Sequence, residues 1–323
     1  PLLPLSLGGG FKVEGEVSDR RQEVTIQTET RPLSVRFDKE SFGAFDSFSL
    51  EGGLGVSGFF QENIYRGYTL IPNFRSFGAG IYAQERASWD RFAIEIGGRL
   101  DTLSRTAFLE ERFYENHLRR GTLDDDSCTY DDDLGRCPSQ FQAASVSLGG
   151  IWQIVPELAE FKLDLSSASR VPNADEAYML SSAPTFPVYV YSDPSLGIET
   201  TWGISPTLGI QTFWLHAEVS GYANRIHDFI YFAPELDADG EPSFDVTIRG
   251  AFPRYSFRAI DAGFHGVDGS IHLAPDSILG LRLQGSVIRA YDLATNDFLV
   301  GTPPDQFLVT AIGQRASLGA LRD

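Results

Sequence analysis

The densest chemistry in these 323 residues is an acidic run, Asp124-Asp125-Asp126-Ser127-Cys128-Thr129-Tyr130-Asp131-Asp132-Asp133, with six carboxylates in ten residues. Hard cations such as Ca2+ draw their oxygen ligands from clusters of this kind. Asp124, Asp125, Asp126, Asp131, Asp132 and Asp133 are therefore candidate ligands for one cation. The spacing is not that of an EF-hand and no glycine occupies its turn position, so a solvated acidic loop is the plainer reading. The two cysteines, Cys128 and Cys137, sit within and just after this run. Their proximity in a polar stretch suits a local disulfide in an oxidising compartment, with a pair of free thiols as the alternative. Such a bond would stiffen an exposed loop by at most a few kcal/mol.

The five histidines are His117, His216, His227, His265 and His272. A zinc-capturing surface would gather histidines and carboxylates in loops, but only His117 and His227 fall near loops, and they are far apart. His216 and His272 fall on polar strand positions. Tyr65, Tyr68, Tyr178, Tyr189, Tyr191 and Tyr231 populate loops or the strand ends beside them, as does Phe232. Aromatics exposed in a cavity suit a planar or amphipathic ligand, and the same residues could equally anchor an interface. No Gly-x-Ser-x-Gly, His-Glu-x-x-His or phosphate loop occurs, so nothing marks the chain as an enzyme. The net charge of −18 argues against nucleic acid, which needs clustered Lys and Arg.

The elements that would carry these residues read as strands from end to end. Phe213, Leu215, Ala217 and Val219 alternate with Trp214, His216, Glu218 and Ser220; Phe92, Ile94, Ile96 and Leu100 alternate with Arg91, Glu95, Arg99 and Asp101. Val267, Ile271 and Leu273 against Asp268, Ser270 and His272 repeat the pattern. Period-two alternation is the signature of a strand with unlike faces. It predicts about twelve strands, near 10–18, 22–37, 46–60, 74–88, 91–103, 141–155, 159–170, 199–208, 212–226, 253–272, 278–290 and 305–315, many close to the roughly 9–11 residues of a tilted membrane-crossing strand. No apolar run reaches the roughly 18 residues of a membrane helix. Near Gly266 the apolar set changes parity, which predicts a β-bulge. Glycines at 52, 53, 97, 98, 149 and 150 read as bends or close approaches, and Trp89, Trp152, Trp202 and Trp214 as interface aromatics.

Connections decide between a soluble sandwich and a membrane barrel. Tight turns at Trp89-Asp90, Val155–Glu157, Gly209–Gln211 and Ala274–Asp276 alternate with long polar stretches near 60–74, 104–140, 171–198, 227–252 and 291–304. In an antiparallel meander, successive connections lie at opposite ends. All the tight turns therefore share one end and the long loops the other, as in outer-membrane barrels. The predicted fold class is all-β: an antiparallel transmembrane β-barrel of outer-membrane type, in the cell outer membrane and in contact with its lipid. No signal peptide precedes Pro1, so a mature or truncated chain is expected.

The second half resembles the barrel of TonB-dependent outer-membrane receptors. Arg170-Val171-Pro172-Asn173-Ala174-Asp175-Glu176-Ala177-Tyr178 resembles the family's Arg-x-Pro-x-x-x-Glu-x-Tyr segment. Asp193-Pro194-Ser195-Leu196 with Glu199-Thr200 is similar to its strand start, with Ser192 in place of the usual glycine. Tyr222 through Tyr231, Gly266-Val267-Asp268 and Pro303-Pro304 resemble later signatures, Asp268 standing where glutamate is usual. The run from Phe252 to Leu273 looks most like the branch that includes zinc-uptake receptors.

The resemblance implies a barrel of about 22 strands around a plug. On that basis residues 1–323 are expected to form an incomplete barrel domain of about twelve strands, with the plug, the segment that contacts TonB and the closing strands absent. It further implies active uptake of a scarce nutrient, a ferric siderophore or another metal chelate, powered by TonB through the plug. A passive porin and a zinc-specific receptor are the competing readings; a barrel enzyme or adhesin has no residue constellation behind it.

Overall fold

The computed structural model describes residues 6–7, 11–16, 25–45, 48–66, 70–181, 187–247, 250–274, 279–313, 317–318 and 321–322. Twelve main strands form one meander: β1 Phe11–Glu16, β2 Thr25–Phe45, β3 Phe48–Arg66, β4 Asn73–Trp89, β5 Phe92–Glu110, β6 Leu134–Val155, β7 Ala159–Arg170, β8 Glu199–Gln211, β9 Leu215–Pro234, β10 Gly250–Leu273, β11 Leu279–Asp292 and β12 Gln306–Gly313. Each pairs antiparallel with the next in sequence. Among the described residues no ladder joins β12 back to β1, so the sheet is an open arc of barrel wall. No described helix is long and apolar enough to cross a membrane.

Register turns the sequence alternation into two continuous faces. Val35, Val56, Ile81, Leu100 and Ala144 lie opposite one another across β2 to β6. Lower down, Ile210, Ala217, Ile271, Leu283 and Val309 do the same across β8 to β12. Ile81 and Leu100 are 57% and 58% exposed, an arrangement water would penalise and hydrocarbon rewards. The opposite face carries Ser57, Arg99 and Asp101, where the Arg99 guanidinium donates to Asp101 at 2.5 Å and to Ser57 at 2.9 Å. Glu218, Ser220, Asp268, Ser270, Gln284 and Ser286 line a polar trough of about 350 Å³ on this lumenal face of β9 to β11. Lumenal glycines make room for rings: a Cβ at Gly55 would fall 2.4 Å from the Tyr82 phenol opposite it.

Aromatics bracket the apolar face. Phe48, Trp89, Phe92, Trp152 and Phe161 form one row over β3 to β7 at the tight-turn end, with Phe92 stacked on Trp152 at 6.1 Å. Twelve residues up from Phe48 and from Trp89 stand Phe60 and Phe77, paired across the ladder. At about 3.4 Å per residue that is ~40 Å of strand, or just under 30 Å of height at a 45° tilt, which fits an apolar band of ~25 Å and its girdles. Trp214 lies beside the turn at Thr212 and Trp202 near the long-loop end of β8, so the four tryptophans divide between the two rims.

Several expectations need correction. The strands outrun their predicted limits on the long-loop side: β3 continues to Arg66, β5 to Glu110 and β9 to Pro234, so the connection expected at 60–74 shrinks to 67–72. Above the lipid a strand no longer needs one apolar face, so its alternation fades while its ladder continues. The 104–140 stretch is two strand extensions carrying a ten-residue helix, α1 Glu111–Arg120. The turn placed at Gly209–Gln211 lies at 212–214, and part of the turn at 274–276 lies outside the described residues. No bulge occurs at Gly266, where both ladders run unbroken. The irregularity falls in β9 between Ile226 and Phe229, with Asp228 at φ 53°. The parity change near Gly266 has another cause: Ile260, Ala262 and Phe264 face inward and pack against Phe229 and Tyr231, whereas Val267 and Ile271 face outward.

The two faces make a direct prediction. Ile81→Arg, in the apolar row, should destabilise the protein by about 2–4 kcal/mol, whereas Gln84→Arg on the lumenal face should shift it by no more than ~0.5 kcal/mol. Urea unfolding in phospholipid vesicles measures both; equal losses would mean the faces are assigned wrongly.

Candidate functional site

The long connections interlock into a canopy at one end of the wall. Its first part rises from β5 and β6. Acidic Glu111 in the first turn of α1 and Arg119 and Arg120 in the last complement the helix dipole, and Gly121 closes it in the left-handed region at φ 68°. A 3-10 turn over Asp125–Ser127 follows, then a short hairpin in which Thr129–Asp131 pairs with the start of β6. Asp132 and Asp133 have φ of 49° and 61°, which is the two-residue turn a tight hairpin demands and which Asp tolerates better than most residues. The Cys128–Cys137 disulfide fastens this hairpin, its Cα atoms 4.3 Å apart.

The second part is the 171–198 segment, and here the Arg-x-Pro-x-x-x-Glu signature shows its physical role. Arg170 reaches Glu176 through Nη1 at 2.8 and 2.9 Å and Glu199 through Nη2 at 2.9 Å. Glu176 also accepts from the Asn173 backbone N–H at 2.7 Å, completing a capping box on the short helix α2 Ala174–Tyr178. Glu199 accepts the Ile230 N–H at 3.0 Å. One guanidinium thus ties the end of β7, α2, the start of β8 and strand β9. The neighbouring Arg105 donates to the Pro172 carbonyl at 2.8 Å.

These parts share a core of Leu109, Phe113, Tyr114, Cys137, Tyr178 and Leu180. Tyr189–Tyr191 then pairs in parallel with Arg254–Ser256 of β10, a contact that short-range meander pairing does not provide. Tyr191 is the knot: its hydroxyl donates to Asp245 at 2.6 Å, Arg120 lies 4.1 Å over its ring, and Arg254 bridges to the same Asp245 at 2.7 Å. Burial and the adjacent Asp245 carboxylate both raise the Tyr191 pKa. Arg120 also pairs with Glu235, and the Leu180 N–H donates to the Leu70 carbonyl, so the connection before β4 is joined as well.

The residues singled out by sequence are distributed unevenly over this canopy. Tyr178 and Tyr65 are 4% and 6% exposed, and Tyr178 belongs to the shared core. Tyr231 is also buried, and its hydroxyl accepts the Val300 N–H at 2.7 Å. Tyr189 and Tyr191 are half-buried with rings 5.1 Å apart, and Tyr68 lies outside the described residues. Asp124, Asp126, Asp131, Asp132 and Asp133 are exposed; the Asp125 side chain lies outside the described residues. Among the described residues no three His, Cys, Asp or Glu side chains stand close enough to hold a metal ion. Sequence reasoning missed Arg120, Glu235, Asp245 and Arg254, whose contacts span up to 115 residues and leave no local spacing to read.

His117 on α1 is 1% exposed, its Nδ1 3.1 Å from Thr122 Oγ1 and its ring edge-on to Tyr178. Burial pushes its pKa down to about 4, with Arg120 adding to the shift and Asp193 opposing it.

The family model of the TonB dependent receptor-like β-barrel matches residues 8–317. The chain belongs to the TonB-dependent receptors. No curated relative matches it by sequence. Among solved structures, the Serratia marcescens hemophore receptor HasR in complex with its hemophore HasA and heme is similar, with a TM-score of 0.69 at 13% identity over 92% of this chain and 51% of that one. The copper transporter OprC gives 0.63 at 14% identity over 91% and 43%, and the ferric yersiniabactin uptake receptor FyuA of Yersinia pestis 0.55 at 12% over 94% and 42%. The chain thus spans about half the length of these structures or less. At such identities they report the shared fold, a wall of the outer-membrane receptor barrel. The family and these neighbours are transport receptors, not enzymes.

Two predictions follow from the canopy's geometry. Arg170→Gln strands Glu176 and Glu199 together, and the 174–198 segment should lose about 1–3 kcal/mol of protection against amide exchange; unchanged protection would refute the staple. His117 binds a proton more weakly folded than unfolded. Its contribution is therefore complete above about pH 6.5 and drains away as pH falls towards 4. Exchange in α1, corrected for intrinsic rate, should accelerate across that window, and His117→Gln should flatten the response.

Proposed function

We propose that this chain is the barrel wall of a receptor that captures a scarce metal chelate, a ferric siderophore first among them, outside the cell and imports it with energy supplied by TonB. Residues 1–323 then act as one partial barrel domain of a longer receptor, whose plug supplies the contact with TonB. The observation that carries the reading is the canopy. Three connections are locked by Arg170, Tyr191 and the Cys128–Cys137 bond, and a fourth is joined to them through the Leu180 N–H on the Leu70 carbonyl, into a preformed surface above a polar lumen. Preorganised loops lower the ordering cost of binding a small, rigid ligand. The family's transport role and solved neighbours named for heme, copper and ferric yersiniabactin support a metal-bearing cargo.

The test is growth of a deletion strain with and without the whole gene restored. Restoration should rescue growth under iron limitation. Rescue under zinc limitation alone would replace the siderophore reading with the zinc one, and no rescue under either would refute both metals. In planar bilayers the whole protein should hold a closed pore; a large, constantly open conductance would make it a porin.

A further inference from the structure

The outward face of the wall carries a second candidate site, on the opposite side of the sheet from the lumen. Where β8 to β11 leave the apolar band on the long-loop side, the ladder sets Trp202, Arg225, Gly263 and Tyr291 opposite one another in one row. This row continues the lipid-facing rows: Val267 lies four residues below Gly263 on the same face, Ile271 four below that. Trp202 is 57% exposed and the Arg225 side chain 62%. His227 lies one step above Arg225, and His265 is stacked on Tyr291 at 5.6 Å. Phe298 extends the aromatic row, 4.6 Å from Tyr291.

Charge on this rim is unevenly matched. Asp261 is shared by His227 Nδ1 at 3.3 Å and Arg225 Nη2 at 3.7 Å. The Arg225 contact is long and leaves most of a guanidinium fork open to solvent, unlike Arg289 on the same face, which is clamped by Asp305 at 2.5 and 2.9 Å. In a chain of net charge −18, an underused guanidinium at the membrane boundary, with an indole on the next strand and a phenol two strands away on the other side, stands out. An arginine fork matches phosphate geometry, and aromatics at this level seat themselves among headgroups and upper acyl chains.

We infer that Trp202, Arg225, His227 and Tyr291 form a docking site for a phosphorylated lipid headgroup of the outer leaflet, with Arg225 gripping the phosphate and Trp202 and Tyr291 flanking its acyl chains. The occupant is a membrane lipid because the patch is continuous with the lipid-facing band and faces away from the lumen. A free phosphate would share the Arg225 contact but not the aromatic flanks. The inference depends on the barrel's place in the outer membrane and not on which nutrient is carried.

The test is lipid binding to the whole receptor in nanodiscs, doped with lipid A or with its dephosphorylated form, read by native mass spectrometry. Lipid A should be retained about tenfold better than the dephosphorylated lipid, the scale of one charge-assisted contact. Arg225→Gln should erase that preference and Arg225→Lys keep part of it. Asp261→Asn, which frees Arg225 from its competing carboxylate, should strengthen it, a gain that damage to the fold cannot produce. Heat-modifiable gel mobility confirms a folded barrel in each variant. Equal retention of both lipids, or a preference untouched by Arg225→Gln, would overturn the proposal. Displacement by millimolar inorganic phosphate would overturn the lipid assignment. Failure of the unaltered gene to rescue metal-limited growth, with the lipid preference intact, would refute the uptake reading alone.

Discussion

The described membrane-crossing strands answer to one constraint. In hydrocarbon a backbone N–H or C=O has no water to fall back on, so each must find its partner in the neighbouring strand. The meander meets that demand in the simplest way, each strand pairing with the next. The same ladder fixes which side chains share a face, because side chains alternate and a slip of one residue would turn Ile81 and Leu100 towards the lumen. Lipid-facing rows, the lumenal Arg99–Asp101–Ser57 network and both aromatic rims are consequences of one register.

Above the lipid the constraint relaxes, and the strands use the freedom. Water can satisfy exposed backbone, so β5 and β6 climb past the bilayer, and the wall exchanges its lipid face for contacts among loops. Charge takes over from burial as the organising force. Arg170 gathers two carboxylates, and Arg120 and Arg254 converge on Tyr191 and its acidic neighbours. These contacts are partly exposed and individually modest. Their strength is collective, because each joins segments already held by a ladder, a helix cap or a disulfide, and the ordering cost is shared.

How legible this was follows from which force governs each region. In the bilayer the alternation of residues such as Phe92, Ile94 and Ile96 is dictated by lipid on one side, and twelve strands could be read from it. At Gly266 the same logic misled. Phe264 and Ala262 are apolar because they pack inward against Phe229, and alternation alone cannot tell a lumenal apolar cluster from a lipid face. The canopy was harder still. The Arg170–Tyr178 motif was visible as a family mark, but its partner Glu199 lies 29 residues on and its role emerges only when β7 and β8 are paired. The loop tyrosines suit a ligand or an interface equally by type; Tyr178 belongs to the canopy's own core, as aromatics in long connections do when those connections fold together, and Tyr65 is buried too. The acidic run shows a related division, since Asp132 and Asp133 occupy backbone positions that would strain most other residues, and so serve the turn itself.

The disulfide and the buried His117 point to the same mechanical property of the canopy. Cys137 faces Ala107 across the ladder, so the bond anchors the hairpin to the strand pair that carries α1. His117 packs edge-on against Tyr178 between α1 and the 171–198 segment, as a ring that burial keeps neutral. Phe113 of the same helix belongs to the shared core, and Arg120 reaches Tyr191 and Glu235. A covalent tie at the hairpin and packing along the helix thus hold α1 to the wall and to the neighbouring connection at once, and each contact costs less ordering because the others are already in place.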